Sequence, residues 1–598
     1  MKFVALVSGG KDSCFNILHC LHNGHDLVAL ANLHPPPGSA DELDSFMYQT
    51  VGYHALSLYS ECLGVPMYRA PILGSSVDQG LEYTSGGPSG TNNDETEDLY
   101  NLLMTVKKSH PDVEGVSVGA ILSTYQRTRV ESVCARLGLV SLAYLWQRDQ
   151  GELLDEIIAS GLDARIIKVA GVGLSKDHLG KSLGQVRGDL IKLNRMYGIH
   201  LCGEGGEYET LVLDAPMFKK RLNLHLNDCV LKDFPSDYVA YLESIKVTIE
   251  DKETVGAVDQ ELKLEPPLLE EQFEEILNDI PEALEALDAG EITTSSQTRP
   301  KVCDQQGFVT IANITAPSSS LQSEVEEIFK ILTQELEKHD MTLFDVSMIS
   351  LLVQDMSSFA EVNGYYSQYF KYALPPARLC VEKGTIGARV QLSAIAFKRH
   401  EGEIRKGLHV QGRSYWAPAN IGPYSQTIES DQIYFLSGQI GLVPKDLSLV
   451  PDTRMQSVLS LQHLMRVATA VDATVKACVA FTNRHDLVPL IRQTWRLYLD
   501  SLAEEPELLI AVVDALPRGA SVEWSGYSVK EAVDMYEDND NSAIDAKVVE
   551  GYPTGPFKVA NTYATGNMDR GLSNCEVIPV NGLYDMTKSL NIASIVLN

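Results

Sequence analysis

The stretch Ser8-Gly9-Gly10-Lys11-Asp12-Ser13 follows directly on the apolar run Phe3-Val4-Ala5-Leu6-Val7 and leads into a stretch of helical pattern, Cys14 to Leu21. A buried strand that passes through two glycines into a helix leaves few folds open to the chain. Gly9 and Gly10 reach backbone angles closed to other residues, so successive N–H groups can converge on an anion at the helix N-terminus. Lys11 adds a mobile cation, Asp12 a candidate magnesium ligand, and Ser8 and Ser13 hydroxyl donors. The alternative is an ordinary strand-to-helix turn with a solvated charge pair; the place after the first strand favours a phosphate cradle. The spacing is neither that of a Walker A loop nor Gly-x-Gly-x-x-Gly.

At 598 residues the chain is too long for a single core. Residues 1–250 alternate β-rich runs with helical patterns, with candidate strands at Phe3–Val7, Leu27–Leu33, Gly115–Ile121, Ala164–Val169 and Leu211–Leu213. That alternation predicts an α/β domain, a parallel sheet with helices on both faces. The polar, Gly-rich stretch Thr84–Asp98 reads as a mobile surface loop near the nucleotide end. Residues 251–300 turn acidic, with Pro266-Pro267 and an amphipathic pattern around Leu268–Leu287, and read as a linker that docks one helix.

Beyond the linker lies a degenerate repeat. Val309–Thr315 lines up with Tyr434–Ile440, and each precedes a long helical pattern, Glu324–His339 and Met455–Val471. Val346–Val353 and Val475–Phe481 follow, each before a second helix, and the copies close on Val390–Phe397 and Ser521–Val529. An offset of about 125 residues describes a duplicated domain, 301–400 and 405–535, not a solenoid. The tail, 536–598, is acidic and then weakly β-like.

A net charge of −31 with no dense Lys/Arg cluster disfavours direct nucleic-acid binding. Ten scattered cysteines without a Cys-x-x-Cys argue against a zinc knuckle, an iron–sulfur centre and a disulfide scaffold. No stretch reaches the roughly 18 apolar residues of a membrane helix, and the N-terminus runs straight into a strand, so the cytoplasm is the expected location and no membrane partner is expected.

Three further clusters mark the first domain: Ser45–Gly52, containing Tyr48; Gly119–Glu131, running from a strand end into a helix and continuing to Tyr144-Leu145-Trp146; and Cys202-Gly203-Glu204-Gly205-Gly206-Glu207-Tyr208-Glu209-Thr210. Arg127, Arg129 and Glu131 read either as a salt-bridged helix face or as phosphate contacts. Tyr144 and Trp146 read as core. So many glycines forbid a helix at 203–206, and with three carboxylates and a Tyr the last cluster reads as a binding loop rather than a solvated turn.

The Ser8–Ser13 loop resembles the PP-loop of the ATP pyrophosphatases, which cleave between the α and β phosphates. With Ser45–Gly52, Ser123–Arg127, Tyr144–Gln150 and above all Gly203–Thr210, the first 230 or so residues resemble the diphthine ammonia ligase family. The C-terminal pair resembles RidA/YjgF: Tyr415–Gln426 and Leu436–Gly441 look like that family's opening, Pro375–Glu382 like its closing signature, whose Arg holds a substrate carboxylate. The signatures are split. The first copy keeps Arg378 but lacks Pro-Tyr-Ser-Gln and has Ser393 where an acidic residue is expected; the second keeps Tyr424 and Ser425 but reads Glu507-Leu508-Leu509-Ile510 where Arg belongs. A scaffolding role ranks above one hybrid pocket using Arg378 and Tyr424.

The implied fold is a PP-loop (adenine nucleotide alpha hydrolase-like) parallel-sheet domain followed by two α+β RidA/YjgF-like (chorismate mutase-like) domains. The implied reaction is amidation of the diphthine carboxylate of translation elongation factor 2 by ammonium, through an acyl-adenylate, with ATP and Mg2+. Lys11, Asp12, Glu204 and Glu207 are the implied catalytic groups, with Asp12 also on the metal. Ser8, Gly9, Gly10, Lys11, Asp12, Ser13, Gly119 and Ser123 would hold ATP. Tyr48, Gln126, Arg127, Tyr208 and Glu209 would face the substrate, with Tyr208 and Glu204 or Glu207 caging its trimethylammonium group. A PP-loop RNA-modifying enzyme and a non-catalytic nucleotide-binding module are the alternatives.

Overall fold

The computed structural model describes residues 1–36, 47–49, 51–83, 91, 93–234, 238–252, 264–282, 284, 301–305, 307–384, 386–400, 402–500, 502, 506–530, 576–579, 582–584, 589–590 and 594–597. They fall into two compact units: Met1–Pro267 with Gln411–Ala419 and Pro444–Asp446, and Leu268–Val410 with Asn420–Val443 and Leu447–Asn598.

In the first unit the β-rich runs and helical patterns appear as β1 (Lys2–Leu6), α1 (Lys11–His22), β2 (Asp26–His34), α2 (Tyr59–Leu63), β3 (Met67–Pro71), α3 (Glu95–Ser109), β4 (Gly115–Ser117), α4 (Thr124–Leu137) and β5 (Val140–Leu142). The five strands are all parallel, in the order β3-β2-β1-β4-β5. Phe15 and Leu18 of α1 join the core on one side, Leu99 and Leu103 of α3 with Val130 and Val133 of α4 the core on the other. Strand order reverses between β1 and β4, which opens a crevice beyond their carboxyl ends, and the glycine pair lies at the end of β1.

The unit continues through α5 (Gln150–Ala159), β6 (Asp163–Val169), α6 (Leu183–Tyr197), β7 (Tyr208–Asp214), β8 (Lys220–Leu224), β9 (Val230–Phe234), β10 (Val239–Glu243) and β11 (Val247–Asp251). The expected strands at 164–169 and 211–213 exist but do not extend the parallel sheet. β7 runs antiparallel to β6, and with β10 and β9 they make a separate sheet, β7-β6-β10-β9, because β7 returns beside β6 instead of crossing to a sheet edge. The expected loop at 84–98 also ends early. Asp94 caps α3 by accepting the Thr96 N–H, and Asp94, Glu95 and Thr96 are buried. Residues 84–90 lie outside the described residues.

In the second unit α7 (Glu271–Asp279) buries Phe273 and Ile276, and the Glu270 N–H donates to Gln462 at 2.8 Å. Then come β12 (Lys301–Gln305), β13 (Phe308–Ile314), α8 (Leu321–Glu337), β14 (Val346–Val353), α9 (Phe359–Tyr366), β15 (Ala377–Glu382) and β16 (Val390–Phe397). After β17 (Gly407–Leu408) and β18 (Thr427–Ser430) the same order returns as β19 (Ile433–Ile440), α10 (Thr453–Thr469), β20 (Ala473–Thr482), α11 (Val488–Leu499), β21 (Glu507–Val512) and β22 (Val522–Lys530). Sheet order repeats too: β13-β16-β14-β15 and β19-β22-β20-β21, each with one parallel pair at the end. The tail adds β23 (Glu576–Pro579), β24 (Gly582–Tyr584), β25 (Ser589–Leu590) and β26 (Ser594–Leu597), and β24 pairs with β21. No described helix is long and apolar enough to cross a membrane.

Candidate active site

The loop between β1 and α1 is held from both sides. Gly9 has φ +85°, and a Cβ there would come within 2.6 Å of Leu56, so glycine is needed for both conformation and space. Its carbonyl accepts from Val212 N–H at 2.8 Å and from the Tyr59 hydroxyl at 3.2 Å. Gly10 is the N-cap of α1; its N–H donates to Ser8 Oγ at 3.3 Å, and its carbonyl accepts from Ser13 Oγ at 3.0 Å. The Lys11 N–H donates to Thr210 Oγ1 at 2.9 Å, which ties the loop to β7, 199 residues on. On the other flank a Cβ at Gly119 would lie 2.7 Å from the Asp12 backbone, so the end of β4 closes against the first turn of α1.

Lys11 is only 4 % exposed. Its ammonium stands 2.8 Å from Asp12 Oδ2 and 5.1 Å from the centre of the Tyr208 ring. Burial alone would depress it, but Asp12, Tyr208 and Cys202 outweigh burial and hold it above the usual lysine value. Asp12 Oδ1 is buried without a hydrogen-bond partner among the described residues.

The Gly203–Thr210 cluster divides. Residues through 207 form turns, whereas Tyr208, Glu209 and Thr210 already belong to β7. Glu204 Oε1 accepts three successive amides at the N-terminus of α4, Ile121 at 3.3 Å, Leu122 at 2.9 Å and Ser123 at 2.9 Å. Burial raises the Glu204 carboxyl and nearby Asp12 adds to it, while the amides and Lys11 oppose. Glu207 accepts the His200 N–H at 2.7 Å, and Glu209 pairs with Lys168 at 3.1 Å.

Other residues expected here have structural tasks. Tyr208 is buried; its hydroxyl donates to Leu201 O at 2.7 Å and its ring faces Lys11, so the aromatic face expected for a trimethylammonium cage is turned to a lysine. Arg127 and Glu131, both 2 % exposed, pair at 2.7 Å, and the guanidinium lies 5.0 Å from the Trp146 ring. A salt bridge forms, then, but in the interior and not on a helix face. Tyr144 and Trp146 are core. Ser123 caps α4 by accepting the Gln126 N–H at 3.2 Å, and the Tyr48 hydroxyl reaches Glu95 O at 3.4 Å. Sequence reasoning missed Tyr59 and Gln49, whose amide donates to Thr210 O at 3.1 Å; Gln49 lay inside the quoted Ser45–Gly52 cluster.

The second unit brings the split signatures together. Arg378 on β15 is 2 % exposed; its guanidinium lies 5.0 Å from the Tyr424 ring and 4.8 Å from Tyr366, and donates to Asn363 Oδ1 at 2.8 Å. Glu523 on β22 is also buried, which pushes its carboxyl up to about 8 against the pull of Arg378. A Cβ at Gly422 would overlap the Arg378 guanidinium, and one at Gly438 the Glu523 carboxylate. Among the described residues, Arg378 Nε, Glu523 Oε2, Ser425 Oγ and Tyr366 Oη have no hydrogen-bond partner. Gln391 opposes Leu352 as Glu523 opposes Phe481, so the first copy has Gln391 where the second has its acid. By the same register Leu508 stands where the first copy has Arg378.

Comparison with known proteins agrees with this division. Residues 1–141 match the family described as diphthamide synthase N-terminal domain and 149–235 its C-terminal domain, while 305–397 and 415–529 match endoribonuclease L-PSP. The chain is similar to the human diphthine–ammonia ligase, 52 % identical over 256 residues, 42 % of this chain and 94 % of that one. It is also similar to the mouse 2-iminobutanoate/2-iminopropanoate deaminase, 31 % identical over 119 residues, 19 % of this chain and 86 % of that one. The Schizosaccharomyces pombe diphthine–ammonia ligase is 44 % identical over 538 residues, 88 % of this chain and 87 % of its own. With both halves shared in one relative, the chain belongs to the diphthine–ammonia ligase family.

Proposed function

We propose that this protein amidates the diphthine carboxylate on translation elongation factor 2 with ammonium, consuming ATP and giving diphthamide, AMP and pyrophosphate. The reading is carried by one observation: a buried Lys11, its ammonium on Asp12, at the crevice between β1 and β4 and tied through Thr210 and Tyr208 to the Gly203–Thr210 segment. A carboxylate does not accept ammonia because hydroxide is a poor leaving group. Its attack on the α-phosphorus forms the acyl–phosphate bond and breaks the bond to pyrophosphate. Lys11 and the Gly9–Ser13 backbone stabilise the charge gathering on that leaving group. Ammonia then adds to the acyl carbon, AMP leaves with the bonding pair, and a proton is lost.

Asp12 Oδ1, buried and without a hydrogen-bond partner among the described residues, would be a carboxylate ligand for a magnesium ion. Such an ion would neutralise phosphate charge. Ser8, Gly9, Gly10, Ser13, Gly119 and Ser123 line the phosphate side. Glu204 fixes the glycine-rich turn to α4, and Glu207 fixes His200. Gln126, Glu209 and Tyr48 flank the acceptor side, and Arg127 pairs with Glu131. The cytoplasm, where the substrate factor works, is the expected compartment. Mass spectrometry of the modified histidine after incubation with ATP and ammonium tests the reading; acid unchanged in the presence of active protein would refute it.

A second reading is favoured by the unpartnered atoms of Arg378 and Glu523. The duplicated half keeps one composite pocket for a small carboxylate, the class suggested by the deaminase-like relative. Calorimetric titration with a short 2-oxo acid should show binding that Arg378→Lys abolishes; no heat with wild type would leave only the scaffolding role.

A further inference from the structure

We propose that residues 411–415 form a positioning strap for the ligase site, setting α1 and α4 relative to each other. The proposal rests on the ligase reading. The two helices supply opposite sides of the site: α1 begins with Lys11 and Asp12, and the amides before α4 hold Glu204. Both are gripped away from those ends by this one short segment, which belongs to the first unit although it lies far along the chain.

On α4 the grip is Glu131. Its Oε1 accepts the Gln411 N–H at 3.1 Å and the Gly412 N–H at 2.7 Å, while Oε2 takes Arg127 at 2.7 Å. A carboxylate this deeply buried is tolerable only with such donors, so strap and helix are held in one arrangement. A Cβ at Gly412 would lie 3.0 Å from Glu131 Oε1 and 3.3 Å from Ser141, which leaves little room for another residue. Next, Arg413 adds one rung to the outer edge of β5: its N–H donates to Ser141 O and its carbonyl accepts from Ala143 N–H, both at 2.8 Å. At the far end of α1 the Tyr415 hydroxyl accepts from Asn23 Nδ2 at 2.7 Å and lies 3.2 Å from His19 Nδ1, with its ring 5.0 Å from Tyr144. Three successive contacts thus fix a helix, a strand edge and a second helix. Their contacts are with α4, β5 and α1, so the effect proposed on the reaction is positional.

The test uses the full chain with Glu131→Gln, which replaces the charged acceptor of the strap amides with a weaker neutral one and breaks the pair with Arg127, beside Leu190→Ala, a core change on α6. Expected for Glu131→Gln is a roughly tenfold fall in kcat for amide formation with the KM for ATP within about threefold, and faster amide hydrogen exchange at residues 121–126. Leu190→Ala should lower stability without either change. If Glu131→Gln keeps kcat within about twofold of wild type, or loses no more than Leu190→Ala does, the strap is structural only and the proposal fails. Should Glu131→Gln not fold, Tyr415→Phe removes a single hydroxyl and is expected to speed exchange at 19–23 and lower kcat about threefold; unchanged exchange there overturns the proposal. A wild-type protein that makes no amide would strike the ligase reading itself, while the exchange result would still decide whether the strap holds the helices.

Discussion

Glu523→Gln gives the sharpest test of the electrostatics of the second unit. The substitution keeps shape and removes the titration. Burial pushes the folded carboxyl up to about 8, with Arg378 opposing, whereas in the unfolded chain it titrates near about 4.3. The folded value lies above the unfolded one, so the folded state holds the proton more tightly. The stabilisation that follows is fully present below pH about 4.3 and is lost as pH rises toward about 8. Between pH about 4.3 and 7 the unfolded chain releases the proton and the folded unit does not, which costs about 4 kcal/mol of stability. Gln at this position does not titrate, so the variant should gain on wild type by about that amount over the same interval. Urea unfolding at several pH values, followed through the near-ultraviolet circular dichroism of the stacked Trp495 and Trp524 rings 5.5 Å apart, reports on this unit. A difference between the two proteins that stays constant within about 1 kcal/mol from pH 5 to 8 would refute a protonated, buried Glu523.

Lys11→Ala should cut AMP formation by roughly a hundredfold or more, measured as pyrophosphate release with diphthine-bearing factor and ammonium. Tyr208→Phe loses the bond to Leu201 O and should cost about 1 kcal/mol in thermal unfolding; since the ring faces Lys11, the KM for the diphthine-bearing factor should not move. Glu204→Ala leaves three amides without their carboxylate, one of them on exposed Leu122 where water can substitute. It should destabilise by about 1–3 kcal/mol and speed hydrogen exchange at 121–123.

Much of this was legible in the chain because the informative signals are local. Strand, glycine pair and helix N-terminus are contiguous, so Ser8–Ser13 could be read as a phosphate loop without knowing what surrounds it. The repeat was visible because each copy keeps the same alternation of β-rich runs and helical patterns. What sequence did not yield was set by partners far along the chain. Nothing near Tyr208 says that its ring meets Lys11, and nothing near Leu211–Leu213 says that β7 pairs antiparallel with β6 instead of joining the parallel sheet. Arg127 and Glu131 had the spacing of an ordinary helical ion pair; only the arrival of residues 411 and 412 explains why that pair is buried.

The duplicated half makes the same point energetically. Copy by copy, the charged pair is incomplete: the first has Arg378 and Gln391, the second Leu508 and Glu523. Had these strands served only as scaffold, apolar or neutral residues would suffice at all four positions, as they do at Gln391 and Leu508. A buried polar or charged group that finds incomplete hydrogen bonding destabilises the fold, and packed apolar side chains in its place are often neutral or better. Arg378 and Glu523 nonetheless stand buried in one unit, each with an unpartnered atom and each against a glycine that leaves room for it. These two residues, from different copies, are what the small-carboxylate pocket proposed above would use, completing hydrogen bonds that the described residues leave open.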